Sequence, residues 1–387
     1  MNTVLAKLFK GDAVIWGVIA TLSIFSLLAV YSSTGTLAFK YQNGNTLYYL
    51  SRHGFLLFVG IGIILITHSI PIVIYLRISK LLLFLSIPLL GWTLINGTSL
   101  NEASRWLTLP GTEISFQTSD FGKFALIMFI ARFLAKNQGN IKDFKTGFRS
   151  IMVWILVVCA LIFPANFSTS VMLFVTSLIL LFIGRVKITY ILYFVGIAIA
   201  GVVIFILITM NLPEQKQGRI NTWKNRIDFF FSGQSEENFQ VEQSKIAIAS
   251  GSFFGKGPGN SSQRNFLPYP YSDFIFAIII EEYGFIGAFI VLLLYLILIF
   301  RAGIIVKKSS SAFSVFLAMG LAISLVFQAF TNMAVVVNLI PVTGQTLPLI
   351  SMGGTSIIFT SVAFGIILSV SQSVNKTAKH EQSEAKS

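Results

Sequence analysis

Charge is scarce in this sequence. Only 11% of its 387 residues are Asp, Glu, Lys or Arg, while 55% are apolar and the mean hydropathy is +0.79. Soluble domains carry about 25% charged residues, so a soluble globular chain is excluded. Cysteine is nearly absent too: the single Cys159 lies inside an apolar run, which rules out an intramolecular disulfide and a thiolate metal site. Three histidines, His53, His68 and His380, are too far apart for a local ligand motif, so no metal ligand set is assigned. Alternating segments of about ten residues, the mark of a transmembrane barrel, are also missing. The first apolar run lacks a small-residue cleavage site and reads as a retained helix.

What the sequence has in abundance is long apolar runs. At about 20 residues per bilayer-spanning helix, the pattern predicts ten helices, near 12–32, 53–70, 79–96, 114–135, 150–165, 167–184, 188–210, 272–300, 312–337 and 353–372. Pro71 interrupts the apolar stretch 69–80, which is taken as a connection. The net charge of +13 does not gather into one patch, so no nucleic-acid partner is expected. Instead Lys and Arg crowd alternate connections, as in Lys136, Lys142, Lys145 and Arg149, whereas the short loops opposite carry Lys40, Arg52 and Arg105. By the positive-inside rule both termini are cytoplasmic. The fold expected is an all-α polytopic membrane protein: one transmembrane domain over 1–375, a large outer loop over 211–271 between helices seven and eight, and a short polar, disordered tail over 376–387.

Ionisable residues within spans are costly and mark candidate sites. Asp120 and Lys123 share a helix face and can neutralise each other. Asp273 lies where the polar loop enters the eighth helix, and Ser272 and Asp273 are also plausible helix caps. Glu281 and Glu282 lie about 12 to 13 Å deeper, near the level of Lys123, which is expected to pair with one of them as well as with Asp120. The last outer loop, 341–355, is uncharged and rich in Gly and Pro. It reads either as a re-entrant turn or as a source of N–H groups for a phosphate or sugar. Arg105 and Trp106 suit either an anionic head group or an interfacial anchor.

Four blocks then carry a resemblance: Arg105-Trp106-Leu107 with Phe116-Gln117-Thr118-Ser119-Asp120-Phe121-Gly122-Lys123; Gly255-Lys256-Gly257-Pro258-Gly259-Asn260-Ser261; Leu267-Pro268-Tyr269-Pro270-Tyr271-Ser272-Asp273 running to Glu281-Glu282-Tyr283-Gly284; and Pro341-Val342-Thr343-Gly344 with Leu347-Pro348 and Ser351-Met352-Gly353-Gly354. In order and spacing they resemble the SEDS family of shape, elongation, division and sporulation proteins, the FtsW and RodA group. The resemblance implies a peptidoglycan glycosyltransferase of the cytoplasmic membrane that polymerises lipid II on the outer face. Its expected partners are a class B penicillin-binding protein and other division proteins. It also implies that Asp273 is the essential aspartate and that Arg105, Trp106, Asp120 and Lys123 are the family's paired polar residues.

Two blocks depart from the family. Gln117-Thr118-Ser119-Asp120 stands where Gln-Pro-Ser-Glu is common, and Ala165-Asn166-Phe167-Ser168-Thr169 lacks a carboxylate that Pro-Asp-Leu-Gly-Thr would supply. Val30-Tyr31-Ser32-Ser33 looks more like the division branch than the elongation branch. Joining a 4-hydroxyl to an α-linked anomeric carbon with a new β bond calls for one inverting displacement. Partial desolvation at the water–lipid boundary would strengthen Asp273 as the base. Arg105, Lys123, Arg219, Lys256 and Arg264 are the candidate cations for the departing pyrophosphate, with Mg or Mn as an optional helper. Competing readings are a lipid II flippase relying on Asp120, Lys123, Glu281 and Glu282, an elongation-type polymerase, a non-catalytic division scaffold and an ion-coupled transporter.

Overall fold

The computed structural model describes residues 9–100, 103–108, 115–210 and 236–384. Helix α1 (Ala13–Ser33) starts at Asp12, whose carboxylate accepts the N–H groups of Val14 at 3.0 Å and Ile15 at 3.1 Å. After the short α2 (Gly35–Tyr41), α3 (Thr46–Ser69) begins seven residues before the apolar run suggests, because Asn45 caps it by accepting the Tyr48 N–H at 3.2 Å. The interruption expected over 69–80 shrinks to Ile70 and Pro71 before α4 (Ile72–Asn96). Pro71 stands ahead of the helix, where a missing N–H costs no ladder bond.

The connection after α4 contains strands. Strands β1 (Thr98–Leu100), β2 (Ala103–Thr108) and β3 (Ser115–Gln117) form an antiparallel sheet in that order, with Trp106 opposite Thr98 on one side and Gln117 on the other. The sheet delivers the chain directly into α5 (Thr118–Lys136), which therefore starts later than expected. A π-helical turn, Phe144–Arg149, leads into α6 (Ser150–Ile162), followed by α7 (Phe167–Ile183) and α8 (Ile188–Met210). Within the loop expected over 211–271, Glu236–Gly251 forms α9. Then come α10 (Ile275–Lys307), α11 (Ala312–Val336) and α12 (Gly354–Glu384). The tail expected to be disordered is helical to Glu384, since no Gly or Pro follows Gly365 to stop the helix.

All ten apolar segments are thus helical. Seven helical stretches among the described residues are long and apolar enough to cross a membrane. Phe167–Ile183 and Ile188–Gly201 are shorter apolar stretches, and α5 carries Asp120, Lys123, Arg132 and Lys136. The two most buried of the seven are α11 and α12, which form the centre of the bundle. Small residues allow close approach there, as is usual for membrane helices: a Cβ on Gly365 of α12 would fall 1.8 Å from Thr67 Oγ1 of α3. At the opposite end from the long loop, Arg301 Nε of α10 donates to Asp12 Oδ2 at 3.1 Å, tying α10 to the start of α1.

Candidate active site

Asp273 stands in a turn just ahead of α10. The cap position falls on Phe274, so neither Ser272 nor Asp273 caps the helix as the sequence suggests. Being outside the helix, the turn needs other partners for its backbone, and three successive carbonyls find them. Tyr271 O accepts from the Met352 N–H at 2.8 Å, Ser272 O from Ser351 Oγ at 2.7 Å, and Asp273 O from Asn332 Nδ2 at 2.8 Å. Asp273 itself is half-buried, and Ser272 Oγ donates to its Oδ1 at 3.0 Å. Burial pushes the neighbouring Tyr271 phenol up to about 12, so it stays protonated at neutral pH. Gly344, at φ +64°, faces the carboxylate: a Cβ there would lie 3.6 Å from Asp273 Oδ2.

The loop between α11 and α12 is an ordered segment held by side chains of several helices. Its carbonyls at Gln345, Thr346, Pro348 and Ile350 accept from Asn332 (2.7 Å), Gln328 (2.9 Å), Tyr295 (2.5 Å) and Ser26 (2.8 Å). Gln345 Nε2 donates in turn to Thr169 Oγ1 at 2.9 Å. Backbone this polar is tolerated at membrane depth only when its groups are satisfied within the protein.

Lys123 of α5 lies 3.6 Å from Asp120 Oδ1 and donates to Gln328 Oε1 of α11 at 2.9 Å. These three residues, with Ser324, Ser356 and Thr360, border a cavity of about 30 Å³, enough for a water. The pairing expected between Lys123 and Glu281 or Glu282 is not the one the fold makes. Depth along straight helices ignores the loop after α9, which brings a closer cation.

That cation is Lys256, whose Nζ sits 2.6 Å from Glu281 Oε1. Helix α10 breaks at Gly284 (φ +65°), and the loop after α9 fills the break. Lys256 and Gly257 N–H groups donate to Glu281 O and Glu282 O, both at 2.9 Å, while Ser252 O accepts from the Phe285 N–H at 3.1 Å. The approach is so close that a Cβ on Gly255 would lie 2.2 Å from Glu282 O, and one on Gly284 2.4 Å from Phe253 O. Glu281, fully buried, also accepts from Ser261 Oγ, Ser262 N–H and Oγ, and Gln263 N–H. Glu282 accepts from Ser32 Oγ of α1 and from the Ser261 N–H at 3.3 Å. Arg264 Nη1 donates to Ser32 O at 3.3 Å. Lys256 and Arg264 are therefore engaged by this network, which weakens their expected role at a leaving group.

Arg105 and Trp106 lie on the central strand β2, and the Trp106–Gln117 pairing puts that strand at the entrance to α5. Arg219 lies outside the described residues. Among those described, no three His, Cys, Asp or Glu side chains converge as a metal site. Sequence reasoning missed Gln328 and Asn332, although two amides one turn apart in an apolar helix were a readable signal.

Fold and site together define a polytopic helical membrane protein with a polar centre built around the non-helical entrance to one span. The family model for FtsW/RodA/SpoVE, described as cell cycle protein, matches residues 12–376, and the chain belongs to that family. It is 33% identical to the probable peptidoglycan glycosyltransferase FtsW of Aliivibrio salmonicida, over 84% of this chain and 80% of that one. It is 32% identical to stage V sporulation protein E of Bacillus subtilis, over 92% and 96%. Among solved structures, a chain of a peptidoglycan synthase complex superposes with a TM-score of 0.70 at 20% identity, covering 95% of this chain and 99% of that one. The rod shape determining protein RodA of Thermus thermophilus gives 0.68 at 20% identity, covering 94% and 98%. These likenesses share the fold.

Proposed function

We infer that the chain is a peptidoglycan glycosyltransferase of the cytoplasmic membrane, polymerising lipid II on the outer face for septal wall synthesis. It spans ten times with both termini inside and works with a class B penicillin-binding protein and other division proteins. The names of its relatives support the reaction. The observation that carries the site assignment is the Asp273 turn: a half-buried carboxylate on non-helical backbone whose three carbonyls are each held by a group from another segment. Such fixation suits a general base, which gains from a defined position against its substrate proton.

Asp273 takes the proton of the acceptor 4-hydroxyl as its oxygen attacks the anomeric carbon, and the lipid pyrophosphate departs from the opposite face. Arg105, on the strand at the entrance to α5, Arg219 and Lys123 are the cations proposed for the departing charge; Trp106 and Asp120 help shape that region. A Mg or Mn ion arriving with the diphosphate would be held largely by substrate oxygens, with Asp273 the carboxylate offered by the turn. Glu281 and Glu282 are structural. A flippase would need its intramembrane charges for transport, whereas Glu281 is already engaged by Lys256 and Asp120 faces Lys123. The experiment is polymerisation of lipid II by the purified protein with its cognate partner, carrying an inactive transpeptidase, for wild type and Asp273→Ala. Glycan ladders from wild type alone are expected; equal ladders from both would remove Asp273 from the chemistry.

A further inference from the structure

Asn332 is 1% exposed on α11 and sends its amide N–H groups outside its own helix. Nδ2 donates to Asp273 O at 2.8 Å and to Gln345 O at 2.7 Å. One nitrogen therefore joins the turn ahead of α10 to the last outer loop. A primary amide is the side chain of this size that offers two donors from one atom. The reversed amide would set Oδ1 against two carbonyl oxygens, so the orientation is fixed by its partners. Oδ1 itself is buried without a partner among the described residues. Leaving such an acceptor unmade has a cost, and the fold accepts it to keep both donors in place.

Gln328, one turn earlier, repeats the arrangement on the next carbonyl: it donates to Thr346 O at 2.9 Å and accepts from Lys123 Nζ at 2.9 Å. The two amides hold consecutive loop carbonyls, but Asn332 alone of the pair also reaches the aspartate. The backbone of Asp273 has no place in the helical ladder of α10, which starts at Ile275. Its direction is set by the bonds to its carbonyls.

We propose that Asn332 is a positioning residue for Asp273: by fixing the Asp273 carbonyl against the Gln345 carbonyl, it sets the line along which the carboxylate leaves the turn. The proposal rests on Asp273 acting as the base in the reaction proposed above. A displacement of about 1 Å in a reacting group costs on the order of 100-fold in rate.

The test uses the full-length protein with its penicillin-binding partner, comparing wild type, Asp273→Ala, Asn332→Leu and Asn332→Asp in lipid II polymerisation. Leu matches the amide in size and donates nothing. The expected result is a fall in kcat of about 100-fold with KM for lipid II within about twofold of wild type and the complex intact by size exclusion. Asn332→Asp is isosteric and carries the test if the Leu variant fails to fold. Its protonated form donates one bond and its ionised form none, so its rate relative to wild type should rise as pH falls. Two results overturn the proposal: wild-type kcat in both variants, or a loss seen only in melting temperature or KM. Asp273→Ala polymerising at the wild-type rate would instead remove the base assignment, and the role of Asn332 with it.

Discussion

Asp273 and Glu281 are carboxylates eight residues apart, one just before α10 and one inside its first turns, and their surroundings are opposite in kind. At Asp273 it is the backbone that is held at three successive carbonyls, while the side chain lies half-buried beside Gly344 and accepts from Ser272 Oγ. At Glu281 it is the carboxylate that is held, by an ammonium, three hydroxyls and two backbone N–H groups, in full burial. A carboxylate whose lone pairs are taken cannot accept a substrate proton, but it can lock a loop into a helix break. A half-buried carboxylate on a fixed backbone, with Ser272 Oγ at one of its oxygens, suits the base proposed above. On the proposed reading, the same residue class serves chemistry in one place and structure eight residues later.

Amide replacement at each carboxylate is the most direct way to break that contrast. Asp273→Asn should reduce polymerisation by about 10⁴-fold, the upper range for loss of general-base catalysis, with no change in thermal melting of the purified protein. Glu281→Gln should do the reverse. Breaking a buried pair costs about 3–5 kcal/mol, but Lys256 is 32% exposed and Gln keeps some of the bonds, so about 2 kcal/mol is expected. Melting and polymerisation per folded molecule should separate the two variants; a dead Glu281→Gln with an unchanged melt would end the distinction. Adding Lys256→Met to Glu281→Gln should recover part of the lost stability, because no unpaired charge is then left behind.

The seam between the two regions offers a sharper probe. Gly255→Ala places a Cβ 2.2 Å from Glu282 O at a backbone φ of +83°, so the loop must leave the helix break. Strain and clash together should cost about 3 kcal/mol, visible as a lower melting temperature and as faster proteolysis between α9 and α10. Should Gly255→Ala melt like wild type, the Gly284 break does not depend on the loop.

The contrast was only half legible in the sequence. Asp273 could be singled out because its block resembles one in a known family; a carboxylate at the mouth of an apolar run is otherwise often only a cap. Glu281 and Glu282 could be flagged as costly, but their partners could not be found by depth. Lys256 reaches Glu281 because Gly251, Gly255 and Gly284 let two backbones meet, a contact no helical periodicity encodes. The sheet over 98–117 was missed because its strands are three to six residues long, too short for an alternating pattern to register. Pro71 looks like a break in the apolar pattern, but it stands at the start of α4. Asn332 and Gln328 were in plain view as amides in an apolar helix, but their meaning lies in two carbonyls from elsewhere in the chain.

The mildest test acts at the far side of the last loop. Ser26 Oγ donates to Ile350 O at 2.8 Å and lies 2.6 Å from His53 Nε2. Its one proton is spent on the carbonyl, so the imidazole must be the donor in the second contact. Ser26→Ala therefore strands two buried groups at once, Ile350 O and the His53 N–H, for about 1–2 kcal/mol of stability. Because Ile350 sits next to Ser351, whose hydroxyl holds Ser272 O, the loss should also slow polymerisation slightly, by less than Asn332→Leu does. If the order of these two effects on kcat is reversed, the Asp273 turn is steered from the α1 side of the loop rather than from α11.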